Sequence, residues 1–227
     1  MQLAIGIHFA QVGDRGVVMD FARGRYIAVG RKMTNLVLSN ISDTSYEIQN
    51  SINRSSALDV LKKANAVGPD TVWSYVQPHE RSEVLPVEFQ LGRPTFGLGI
   101  GQTAGLTFSV LRSLVLVQRS LISRPFDGTL KWLEARKSTD LARKPRHCVQ
   151  ELLDAYYAAR PWYTVAPICR LDALSLVRFL RIYGHPAELK FGVRLDPFYA
   201  HCWVQLADTS LNEPHEQLRQ YTIIRSV

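Results

Sequence analysis

The sequence is poor in the residues that staple or metallate a fold. Its 227 residues hold only three cysteines, Cys148, Cys169 and Cys202, an odd number and too few for a disulfide framework. A reducing, cytoplasmic setting is therefore expected. No CxxC or HExxH spacing occurs and the six histidines are scattered, so neither a metal nor another cofactor is expected. Gly97, Gly99 and Gly101 form GxGxG, not the phosphate-cradling GxGxxG, and no βαβ pattern surrounds them. The formal charge is +7, yet Lys and Arg do not interleave with aromatics as a stacking platform for nucleic acid requires. The excess is either a solvated basic surface or a field that attracts an acidic peptide. Residues 1–10 are apolar but lack a basic leading region and a long apolar stretch, which argues against a secretory signal.

What remains is an ordinary globular composition, 46% hydrophobic and 21% charged, long enough for one large domain or two small ones. Three short strands are expected over 3–9, 17–21 and 25–29, with turns at 13–16 and 22–24. Helical patterns follow at 33–38 and at 55–66, which suggests a winged-helix-like binding module. Residues 67–103 carry four prolines and the three glycines above and suggest a linker. The run 106–122 is strongly apolar but carries Arg112 and Arg119, so a helix packed on the body of the protein is expected, not stable membrane insertion. Two more helical patterns cover 129–136 and 146–160. His147 and Cys148 are adjacent on the second, point about 100° apart and are expected only to pack, while His185 is expected in an exposed turn.

The last quarter carries the chemistry. Cys169 opens a helical pattern started by Pro167 and stopped by Gly184. Leu171, Leu174, Leu176, Val177, Phe179, Leu180 and Ile182 leave only a narrow polar stripe of Asp172, Ser175, Arg178 and Arg181. A thiol in a first helical turn lies at the positive end of the macrodipole, which favours the thiolate. Residues 187–193 then alternate as a strand, residues 194–197 break it, and residues 201–206 alternate again. His201 falls on the more polar face of that second strand, and Cys202 on the apolar one. A helix-borne Cys meeting a strand-borne His would suit a thiol nucleophile with imidazole as its base. On periodicity alone, a structural cysteine and an exposed strand histidine is the preferred reading.

The runs Cys169–Leu174, Gly192–Val204 and Leu211–Pro214 together resemble the lasso-peptide maturation B proteins, densely over 146–227. Those are transglutaminase-like cysteine proteases that remove the leader from a ribosomally made precursor peptide. The resemblance implies an α+β chain with a papain/transglutaminase-like cysteine protease domain over 89–227, preceding helices included. It implies a Cys-His-acid triad of Cys169, His201 and, twelve residues on, Glu213, where the family has Asp. Asn212 and Asp208 compete for the third place. A three-residue turn at 207–209 would put Glu213 on the His201 face, and a four-residue turn would put Asn212 there.

The N-terminal stretch VVMDFARGRYIAV is similar to the leader-recognition element of enzymes that modify ribosomal peptides, which implies that role for 1–88. The leader would add as a strand beside Arg25, Tyr26, Ile27, Ala28 and Val29 and touch a helix around Leu58, Leu61 and Lys62. The implied partners are the precursor's leader segment and a lasso cyclase of the asparagine-synthetase type. An acyltransferase of the same fold, or a peptide-binding scaffold without catalysis, are the alternative functions.

Overall fold

A computed structural model of the chain describes residues 7–20, 25–35, 74–75, 100–137 and 144–227. Near the N-terminus, β1 (Ile7–Val12) and β2 (Arg15–Asp20) form a hairpin whose turn is only Gly13 and Asp14. The expected turn at 13–16 is thus shorter, because Gly13 takes φ 62° and closes the hairpin in two residues. Strand β3 (Arg25–Val29) pairs antiparallel with β2. Ser74–Tyr75, within the expected linker, instead forms β4 and pairs parallel with β1, giving the order β3-β2-β1-β4. Residues 31–35 are helical, and the rest of the expected 33–38 helix lies outside the described residues. So does the expected 55–66 helix, and with it the winged-helix arrangement.

The C-terminal half is helical, then β. Helix α1 (Ile100–Ser123) is longer than the 106–122 pattern, and Gly101 lies inside it. Stretch Ala104–Ser123 is long and apolar enough to cross a membrane. Its stripe of Leu106, Val110, Leu114 and Val117 is nevertheless buried in the protein core. Helices α2 (Phe126–Glu134) and α3 (Val149–Ala159) follow, then a 3₁₀ turn at Arg160–Trp162. Cys148 begins α3 as its cap: its Sγ accepts from the Glu151 N–H at 3.5 Å, and Glu151 accepts from the Cys148 N–H at 3.0 Å.

Helix α4 (Cys169–Ile182) runs through the middle of the core. Most of its narrow polar stripe is buried too: Asp172 is half-buried, and Ser175, Arg178 and Arg181 are at most 5% exposed. Arg181 is tolerated there because it donates to the carbonyls of Ala187 and Val227, at 2.9 and 3.0 Å. The helix stops at Gly184, with φ 85°. The Gly184 N–H returns to Arg181 and the His185 N–H to Leu180, a full Schellman closure. His185 is only half-exposed, contrary to expectation, because its Nε2 bonds the His147 carbonyl at 2.9 Å.

The second sheet is made of β5 (Glu188–Leu195), β6 (Phe198–Leu206), β7 (Thr209–Ser210) and β8 (Thr222–Ser226), in the order β7-β6-β5-β8. Strand β5 runs two residues further than expected, and only Asp196 and Pro197 turn the chain into β6. Short β7, helix α5 (His215–Leu218) and β8 complete the chain. Leu189, Phe191 and Val193 face α4, as period two requires. Ala10, Val17 and Met19 of the first sheet belong to this same core, and Arg15 pairs with Asp196 at the β5–β6 turn. The chain is therefore mixed α and β, with its described N-terminal strands packed directly on the C-terminal half.

Candidate active site

Cys169 stands exposed as the first residue of α4. Pro167 and extended Ile168 deliver the chain, and no side chain caps this end among the described residues. The first-turn amides are left as donors, and the macrodipole places its positive end at the thiol. Arg160 holds the approach. It pairs with Asp172 in the first turn and donates to the carbonyls of Tyr163 and Val165, at 2.8 and 3.0 Å. Tyr156 adds a hydroxyl bond to the Asp172 carbonyl at 3.0 Å.

Strand β6 supplies the partners. The Cys202 side chain and the His201 side chain both hydrogen-bond Cys169, and with the nearby imidazolium charge they outweigh desolvation and bring its pKa down to about 4. His201 is raised to about 9, first by its bond to Cys169 and then by its bond to Glu213. At neutral pH the two are thus thiolate and imidazolium. Cys202 moves the other way, since donation to the Cys169 sulfur and its own burial keep it a neutral thiol.

Glu213 meets the His201 Nε2 at 3.0 Å, which leaves Nδ1 as the ring nitrogen for the sulfur. It arrives there by a route outside both expected registers. The turn after β6 has two residues, Ala207 and Asp208, with Leu206 opposite Thr209 and Ala207 at φ 50°. β7 then ends at Ser210, and the chain bends away from the ladder. Asn212 is occupied elsewhere, its Oδ1 accepting from the Val204 N–H at 2.6 Å. Asp208 lies in the exposed turn. The structure thus brings Cys169, His201 and Glu213 together and leaves the two competitors aside.

Several contributors escape sequence reasoning. The His201 ring stacks on Trp203, centroids 6.5 Å apart, and leans on Tyr221 at 5.8 Å. Gly192, paired with His201 across the ladder, makes room for this platform: a Cβ there would sit 2.6 Å from the Trp203 ring. A cleft of about 360 Å³ opens beside the thiol, lined by Tyr156, Tyr157, Arg160, Cys169, Asn212 and Glu213 among others. Burial and the Glu213 charge push the Tyr157 hydroxyl up to about 12, so it stays a neutral donor in that cleft.

Of the expected leader-binding residues, Arg25 to Val29 form β3, at one end of the sheet order among the described residues. Tyr26 is half-buried against the core, near enough to Arg170 and the Cys169 thiolate to feel their charges. Leu58, Leu61 and Lys62 lie outside the described residues. Among the described residues no group of three or more His, Cys, Asp and Glu side chains could hold a metal ion.

A helix-end thiol ion-paired with a strand imidazole, itself held by a carboxylate, is an arrangement built for cysteine-dependent acyl chemistry. Residues 113–226, half of the chain, match the family model described as transglutaminase-like superfamily, and the chain belongs to that superfamily. Such a domain is compatible with cysteine protease or acyltransferase chemistry. No curated protein and no solved structure matches the chain.

Proposed function

We propose that the protein is a cysteine peptidase that removes the leader from a ribosomally made precursor peptide, in the manner of the lasso-peptide maturation B proteins it resembles. The observation that carries the peptidase reading is the Cys169 thiolate, exposed at an uncapped helix end and paired with His201 and Glu213. The thiolate attacks the scissile carbonyl carbon, and the oxygen takes the charge against first-turn amides of α4. As the C–N bond breaks, His201 gives its proton to the leaving amine, and a thioester remains on Cys169. Neutral His201 then takes a proton from water, whose oxygen attacks the thioester and restores the thiolate. Glu213 orients the imidazole and supports its charge throughout.

The leader would join β3 as an added strand, with Ile27 and its neighbours supplying backbone hydrogen bonds. The freed N-terminus of the core peptide would pass to a cyclase of the asparagine-synthetase type. Incubating the full chain with its precursor and reading product masses tests the proposal. Leader and core, with one water added across a single bond, support it. A core or leader joined to an added amine marks an acyltransferase instead, and an unchanged precursor that stays bound marks a scaffold.

A further inference from the structure

A second cavity, of about 370 Å³, flanks the nucleophile on the other side of the α4 N-terminus. Helix geometry separates the two spaces. Cys169, Asp172 and Leu176 line the cleft that contains Glu213, whereas Ile168, Arg170 and Leu171 line the second cavity with Leu121, Ile122, Phe126 and Val165. Ile122 and Ile168 are large aliphatic side chains left 78% and 50% exposed at this cavity, and Ile168 directly precedes the reactive cysteine. Exposed apolar groups clustered at a reaction centre mark a binding surface more than scattered ones do. Arg124 and Arg170 stand at the same cavity, the second with its guanidinium 5.3 Å from the Phe126 ring centroid.

We propose that this cavity is the specificity pocket of the enzyme and takes a large aliphatic or aromatic side chain from the acyl side of the scissile bond. The inference rests on the peptidase reading above and adds the substrate's chemistry to it. The side follows from the proton that must move. His201 has to reach the leaving nitrogen, so the leaving portion lies toward His201 and Glu213. No residue of β6 or β7 lines the second cavity, so it belongs to the opposite, acyl portion. The apolar walls gain by removing a Leu or Phe side chain from water, and the two guanidiniums disfavour Lys there.

Acetylated tetrapeptide aldehydes test this without knowledge of the natural substrate, since they occupy the acyl side and trap the thiolate. Leu, Phe, Ala or Lys is placed in turn at each of the four positions. Protection of Cys169 in the full chain against iodoacetamide is then measured. At one position Leu and Phe should protect about tenfold better than Ala, and Lys no better than Ala. The paired change Ile122→Gln with Ile168→Gln should reduce that preference to about twofold, while Ile122→Leu with Ile168→Leu retains it. Each preference is a ratio within one variant, so a change in thiol reactivity cancels. Protection with no apolar preference at any position, or a preference untouched by the Gln pair, overturns the pocket. If no aldehyde protects and alkylation shows no thiolate at acid pH, the peptidase reading falls, and the pocket falls with it.

Discussion

Two helices of this protein begin at an exposed cysteine, and the two thiols have been put to opposite uses. At α3 the cysteine is one residue outside the helix, as N-cap, and its Sγ turns back on the Glu151 amide. At α4 the cysteine is one residue further in, the cap position belongs to Ile168, and no side chain serves the first-turn amides among the described residues. A cap thiol is committed to its own helix. A first-turn thiol projects from the helix with free donors behind it, and here it meets His201 and Cys202 of β6. One position along the chain, together with what stands opposite, separates a structural sulfur from a nucleophile.

The sharpest way to break that comparison is to remove the nucleophile. Cys169→Ser should lower precursor cleavage by at least about four orders of magnitude, because a serine hydroxyl is not ionised by this pair. Leader binding should persist in a calorimetric titration of the full chain. Cleavage that survives would transfer the chemistry to another residue.

Next in size come the groups that meet the Cys169 sulfur through the imidazole. Glu213→Gln keeps the shape but not the charge facing His201 Nε2, and cleavage should drop about 10²–10³-fold with little change in the midpoint of thermal unfolding. Asp208→Asn, in the exposed turn, should change turnover less than about threefold. A strong Asp208 effect beside a silent Glu213 would reverse the assignment.

These two acids also show where sequence reasoning stopped. The start of α4 was legible because Pro167, the apolar pattern and Gly184 are local signals, and so was the inward direction of Cys202. The fate of Glu213 was not. Counting strand register assumed a turn of three or four residues and a continuing ladder. Instead Ala207 adopts positive φ, which allows a two-residue turn, and the ladder ends at Ser210. The buried polar stripe of α4 was equally hidden. Arg181 donates to carbonyls at 187 and 227, the second 46 residues away, which no helical pattern reports. Gly192 matters through the ring of Trp203 above it, a contact across the sheet.

The charge state of the pair can be tested by pH. With Cys169 lowered to about 4 and His201 raised to about 9, thiolate and imidazolium coexist between those limits. Acid protonates the sulfur and alkali strips the proton owed to the leaving amine, so kcat/KM should be bell-shaped with limbs near 4 and 9. Cys202→Ala removes a donor that favours the thiolate. The acid limb should then move to higher pH while turnover at neutral pH falls less than about tenfold. An acid limb unmoved by this change would leave His201 as the sole partner of consequence.

The smallest effect closes the comparison, because it uses the same substitution at the other helix. Cys148→Ser exchanges a weak sulfur acceptor for a hydroxyl at an N-cap, where Ser is among the preferred residues. Glu151 already returns a bond to the cap amide, so the reciprocal box is retained. Thermal unfolding should therefore be unchanged or shifted upward by a few tenths of a kcal/mol, and cleavage should be untouched. Cys148→Ala removes the acceptor and should cost about 0.5–1 kcal/mol, again with no loss of kcat. Two Cys→Ser changes at two helix starts would then give opposite results, one lethal to turnover and one neutral. A marked loss of cleavage from Cys148→Ser, with unfolding unchanged, would show that its thiol does more than cap α3.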